Sequence, residues 1–222
     1  EVCRGDDLVR TSRGKTERWS QVVTHRLPRY GDDDSQSISF LFWYDNIGAR
    51  GVKHWLRLRE EYTDAFDPFL SILRSDDPWN DANVVQIGIV LEKLGYLIDI
   101  KKNEGAHLNE RNQLNFMDAL QVILDDMPVT PFIDDNTENE AHEDELSVDD
   151  TGDAWKHNIR AAYMGLKHAD RTLPNSLDLT NALRKSILVV RFWIADQIGV
   201  HKNFLKEARK YDPLSKRFIE IY

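Results

Sequence analysis

Asp81-Ala-Asn-Val-Val-Gln-Ile-Gly-Ile-Val-Leu91-Glu92-Lys-Leu-Gly-Tyr-Leu-Ile98 is apolar on several faces at once. A surface helix shows one apolar stripe with polar residues opposite it, whereas a helix that is apolar all round is buried. The segment therefore predicts a central helix. Pro78 opens the unit, and Asn80 or Asp81 supplies its N-cap. A central helix needs others around it, and the chain offers them on both sides.

Before it, Val52, Trp55, Leu56, Leu58 and Tyr62 recur at intervals of three and four among charged residues, which predicts an amphipathic helix from Ile47. Asp67-Pro68 then starts a short helix through about Leu73. After the central segment, Asn109 to about Leu124 reads as a helix with Leu114, Met117, Leu120 and Ile123-Leu124 in one stripe. Another runs from Asp149 or Asp150, acidic residues that suit the positive end of a helix dipole, to about His168. Asp178 caps a further helix to Ile198, with Leu179, Leu183, Ile187, Val190 and Ile194 in phase, and Gly199 ends it. A last short helix covers roughly Asn203 to Tyr211. Four substantial helices predict a mainly α fold, an antiparallel bundle with additional helices.

The first 45 residues differ in kind. Trp19 to His25 and Ser37 to Trp43 are rich in β-forming residue types, with a turn-like Gly31-Asp-Asp-Asp-Ser-Gln stretch between them. The expectation is a hairpin in a β-rich segment 1–45, a remnant of a preceding domain or an adornment on the helical domain 46–222. The chain begins at Glu1 in polar sequence, which reads as a piece of something longer.

Composition narrows the functional classes. Apolar residues make up 41% of the 222 and charged residues 30%, ordinary values for a globular protein, and no apolar run reaches the roughly 18 residues that crossing a bilayer requires. No membrane association and no secretion signal are expected. Cys3 is the single cysteine, which excludes an internal disulfide and a cysteine zinc site and fits a reducing, cytoplasmic setting. The net charge of −9 argues against a generic nucleic-acid binder. Its distribution changes that reading: Asp134 to Asp150 holds nine acidic residues and no Lys or Arg, so the rest of the chain is formally neutral. The stretch 127–148 reads as a flexible acidic loop, able to cover a basic groove.

Arg160-Ala-Ala-Tyr163-Met-Gly-Leu-Lys167-His168-Ala-Asp170-Arg171 lies in a run from Trp155 to Val200 that also holds Val189-Val190-Arg191-Phe192-Trp193. As a whole pattern, from about Ser39 onward, the chain resembles the C-terminal HEPN domain of ApeA-like antiphage proteins. The resemblance implies a HEPN helical bundle and a metal-independent endoribonuclease acting on host RNA, with tRNA a candidate target and no cofactor. It implies a homodimer with a composite site, and a sensor domain N-terminal to this chain. His168 would be the general acid/base, Arg160 the partner of phosphate or of Glu92, and Lys167 an auxiliary cation. Leu91-Glu92-Lys93-Leu94-Gly95 is similar to the family's glutamate-bearing second-helix segment, with Glu92 expected to pair with Arg160 or His168. Tyr163 and Asp170 would support the site.

The chemistry is sound without metal, since imidazole shuttles protons and guanidinium stabilises charge on phosphorus. The spacing departs from the family's pattern of Arg, four to six residues, then His, with a polar residue after the Arg. Here seven residues intervene and Ala161 follows Arg160. On an unbroken helix the two side chains would stand about 80° apart in azimuth and about 12 Å apart along the axis. A catalytically silent HEPN module that dimerises, senses a ligand or regulates a partner domain is the alternative.

Other constellations are weaker. His107 and Arg111 would share a face at a helix start, in the reverse of the family's order. No metal-ligand spacing, phosphate loop or nucleophile elbow organises the remaining acidic, glycine or serine residues. Trp43, Trp55, Trp79, Trp155 and Trp193 read as core residues.

Overall fold

The computed structural model describes residues 2–11, 14–20, 41–75, 77, 79–132 and 151–215. The chain divides into two compact units, Glu1–Ser37 and Ile38–Tyr222. This division precedes the expected 45/46 boundary, and Leu41, 4% exposed, already belongs to the helical core.

In the first unit, strands β1 (Val2–Thr11) and β2 (Gly14–Ser20) pair antiparallel, with Cys3 opposite Trp19. The expected hairpin of Trp19 to His25 with Ser37 to Trp43 falls mostly outside the described residues, within which Trp19 pairs with β1. Residues 21–40 lie outside the described ones, and Leu41 to Trp43 are not in a strand.

The second unit is mainly α-helical. Its helices are α1 (Tyr44–Glu61), α2 (Thr63–Arg74), α3 (Asp81–Lys102), α4 (Phe116–Asp125), α5 (Gly152–Lys167), α6 (Ser176–Gln197) and α7 (Lys202–Tyr211). Helix α3 is the hub, touching α2, α4, α5 and α6. Its Val84, Ile87, Val90, Leu91, Leu94 and Ile98 are buried on successive faces, and two glycines bring neighbours in close. A Cβ on Gly95 would meet Ala119 O at 2.5 Å, and one on Gly88 would meet the Tyr163 ring at 2.5 Å. Asn80 caps the helix, its side chain accepting from Asn83 N–H at 2.9 Å. An aromatic cluster joins α1, α2 and α6: Tyr62, between α1 and α2, meets Trp193 edge-on with centroids 5.1 Å apart, Phe66 lies beside both, and Trp55 of α1 packs on Phe66.

Several boundaries differ from expectation for local reasons. Pro68 sits inside α2 rather than opening it, since the helix already starts at Thr63. Helix α4 begins at Phe116, not Asn109: Asn109 Oδ1 accepts the N–H groups of Arg111 and Gln113, forming a turn, and Asn112 takes a positive φ of 55°. Asn115 is the actual cap. Asn175, not Asp178, caps α6, accepting from Asp178 N–H at 2.9 Å. Thr151 caps α5, and Pro78, Asp149 and Asp150 lie outside the described residues.

The front of the expected acidic loop is core. Met127, Val129 and Phe132 are buried, Phe132 packs on Trp155 with centroids 5.6 Å apart, and Arg209 Nη1 donates to Phe132 O at 2.9 Å. Residues 133–150 lie outside the described residues. The tryptophans divide. Trp155 and Trp193 are buried and Trp55 packs against the core, while Trp43 is 58% and Trp79 40% exposed, and Trp79 carries the Arg184 guanidinium 5.4 Å from its ring centroid.

Candidate functional site

Helix α5 presents the candidate residues, and its apolar period decides which way they face. Trp155, Ile159, Ala162 and Tyr163 are buried at spacings of three and four, which turns Arg160 outward. The helix stops at Lys167. His168 is extended, with φ −126° and ψ 120°, and its N–H donates to Met164 O. Ala169 and Asp170 make a turn, closed by Arg171 N–H donating to His168 O at 3.1 Å.

The result is a cleft of about 420 Å³ lined by Arg160, Ala161, Met164, Gly165, His168, Asp170, Arg171 and Thr172. Eight positions separate Arg160 from His168 in sequence, yet both line one cleft. The helix is unbroken through Lys167 and His168 N–H still donates to Met164 O, so the axial separation of about 12 Å stands and the cleft spans it lengthwise. Arg160, His168, Asp170 and Arg171 are all exposed to solvent, so the cleft's lining carries two arginines, a histidine and one opposing carboxylate.

Glu92, Tyr163 and Lys167 form a separate group. Tyr163 hydroxyl donates to Glu92 Oε2 at 3.1 Å and accepts from Lys167 Nζ at 3.2 Å. The Lys167 ammonium also lies 4.8 Å from the Tyr163 ring centroid. Burial pushes the Tyr163 phenol above its ordinary value, against the opposing pull of the hydrogen bond from Lys167. The same hydrogen bond to Tyr163 raises the Lys167 ammonium. Both groups therefore stay protonated through neutral pH. None of the three lines the cleft. The expected pairing of Glu92 with Arg160 or His168 is replaced by the Tyr163 hydroxyl, and the role expected of Lys167 as a second cation at the site finds no geometric support.

The surroundings of two residues were not legible in the sequence. Arg171 lines the cleft although nothing in its local pattern marks it. The pointer is Gly165, the bare position against which the following chain packs. The other is His107. Residues 107–111 form turn and loop instead of a helix start, so His107 and Arg111 share no helix face. His107 Nδ1 instead lies 2.6 Å from Oδ1 of the fully buried Asp99, whose Oδ2 accepts the His107 backbone N–H at 3.2 Å. Burial alone would raise the Asp99 carboxyl, but the hydrogen bonds from His107 and Asn103 outweigh it and hold the group below its ordinary value. The hydrogen bond to Asp99 raises His107, and the charges of Asp118 and Asp125 on α4 add to this.

Among the described residues no group of three or more His, Cys, Asp or Glu side chains is placed to hold a metal ion, and no helix is long and apolar enough to cross a membrane. No family model matches the chain, and no curated protein or solved structure matches it either.

Proposed function

We propose that residues from about Ser39 onward form a HEPN-like helical domain whose α5 cleft is the active site of a metal-independent endoribonuclease. The observation that carries this reading is the convergence of Arg160 and His168 on one solvent-open cleft despite their long spacing. His168 takes the proton of the attacking 2′-hydroxyl or supplies one to the leaving oxygen, and Arg160 stabilises charge on the phosphate. Asp170 on the cleft wall is the nearby carboxylate. Tyr163, Glu92 and Lys167 act from behind, fixing α5 against α3. By its resemblance to ApeA-like proteins, the domain works in the cytoplasm as an antiphage effector on host RNA, with tRNA a candidate target. It pairs with a second copy to complete the site and answers to an N-terminal sensor, of which the β-rich segment would be the near end.

A catalytically silent HEPN module is the second reading. The engagement of Glu92 by Tyr163, rather than by a site cation, favours it.

Cleavage of labelled total tRNA in EDTA, by the unsubstituted chain and by His168→Ala, tests the proposal. Cutting that the substitution abolishes is expected. A folded, dimeric chain that binds RNA and leaves it intact would establish the silent module.

A further inference from the structure

Arg171 lines the cleft with Arg160 and His168, and the chemistry above makes no use of it. Its position depends on a glycine. A Cβ on Gly165 would stand 2.9 Å from Thr172 O, 3.2 Å from Leu173 Cα and 3.3 Å from Pro174 Cδ. The chain leaving α5 therefore doubles back onto bare helix backbone. Pro174 keeps Leu173 out of helical conformation, and the bond from Arg171 N–H to His168 O closes the reversal. Arg171 is thereby returned to the level of the last turns of α5. Arg160 lies five positions before Gly165, about 7.5 Å along the axis.

We propose that Arg171 is a second phosphate-binding residue, so that the cleft takes an RNA strand by two neighbouring phosphates. Arg160 holds the phosphate at which His168 acts, and Arg171 holds the next. The inference rests on the reading of the cleft as an RNA site. Guanidinium matches phosphate in a bidentate, planar way, and two such groups offset along a helix suit two phosphates better than one. The carboxylate of Asp170 on the same wall disfavours a free anion beside it. It suits a strand, because the ribose between two phosphates carries a 2′-hydroxyl that donates to an acceptor. Among the described residues no side-chain hydrogen bond or ion pair occupies Arg160, His168 or Arg171, so binding would not have to break one.

The test is equilibrium binding across a salt series, using the full chain carrying His168→Ala so that RNA survives. The probes are a single-stranded RNA 12-mer and a dinucleotide with one phosphate. Adding Arg171→Gln is expected to weaken the 12-mer about 10-fold and to flatten the dependence of log K on log salt by roughly 0.7, the loss of one phosphate contact. Dinucleotide binding should not change. Arg160→Gln should weaken both probes, and Arg171→Lys should keep most of the salt dependence. An unchanged slope for a folded Arg171→Gln, or equal losses on the two probes, overturns the proposal. If the expected pattern holds but the unsubstituted chain cuts nothing in EDTA, the Arg171 assignment stands and the nuclease reading falls. Failure of the folded parent to bind RNA ends both.

Discussion

Tyr163 hydroxyl donates to Glu92 Oε2 at 3.1 Å, a polar link between α5 and α3 set at the margin of an apolar contact. The ring carries the packing, being 1% exposed and lying against Phe116 with centroids 5.1 Å apart. The hydroxyl carries the accounting of polar groups, since it also accepts from Lys167.

Tyr163→Phe keeps the ring and deletes the link. Glu92, half-buried, then loses its neutral donor, and the expected cost is about 1–3 kcal/mol in denaturant unfolding. Replacing both partners with apolar groups of similar shape is nearly neutral in such pairs. Tyr163→Phe with Glu92→Leu should accordingly recover part of the loss. A double variant less stable than the single one would show that the carboxylate is held by something other than Tyr163.

Gly→Ala within a helix ordinarily stabilises by about 0.5–1 kcal/mol. In α3 the sign should reverse. At Gly95 the added methyl meets Ala119 O at 2.5 Å and Ala119 Cα at 2.7 Å, backbone atoms that cannot step aside. At Gly88 it meets the Tyr163 ring, also at 2.5 Å. Each substitution should lower the unfolding free energy by about 1–3 kcal/mol, as overpacking does. Gly95→Ala should cost more, because a ring shifts more readily than an α4 carbonyl. Thermal melts of the two variants decide the order.

The Asp99–His107 pair should make stability depend on pH. His107 is raised in the folded chain, so its contribution is full below the ordinary imidazole value of 6.5 and is lost as pH rises through the folded pKa. Asp99 is lowered, so its contribution is present above the ordinary 3.8 and is lost as pH falls through the folded pKa. Both are in force together between about pH 3.8 and 6.5. Melting temperature measured from pH 4 to 9 should therefore fall toward the alkaline side in the native chain more than in His107→Gln. Parallel curves for the two would show that the pair does not couple folding to proton binding.

The central helix was legible because apolar residues from Val84 to Ile98 fall on most of its faces, although Ile89, Lys93 and Tyr96 keep one stripe exposed, and because Asn80 and Asp81 offer a cap ahead of it. The start of α4 was not, because Asn109, Asn112 and Asn115 are each competent to turn or cap the backbone. Only tertiary packing of Phe116 and Leu120 selects the last of them. Pro68 misled in a similar way. A proline suits a first turn, but Ala65 and Phe66 ahead of it are buried against the core and extend the helix toward the N-terminus. In the cleft, the candidacy of Arg160 and His168 came from residue type and order. That they share a cavity depends on where α5 stops and on the chain reversal at Gly165, neither of which periodicity encodes. The partner of Glu92 was hidden for the same reason: the buried depth of the Tyr163 ring determines where its hydroxyl ends.

Because α3 packs against helices from both sides of the interval 133–150, the core that spans it does not rely on that interval's peptide bonds. Phe132 on Trp155 and Arg209 on the Phe132 carbonyl fasten the two sides directly. A protease cut within 133–150 should leave a nicked but undivided particle, its two pieces migrating as one on a sizing column and separating only in denaturant. The same property would let the domain be expressed as two polypeptides that reassemble.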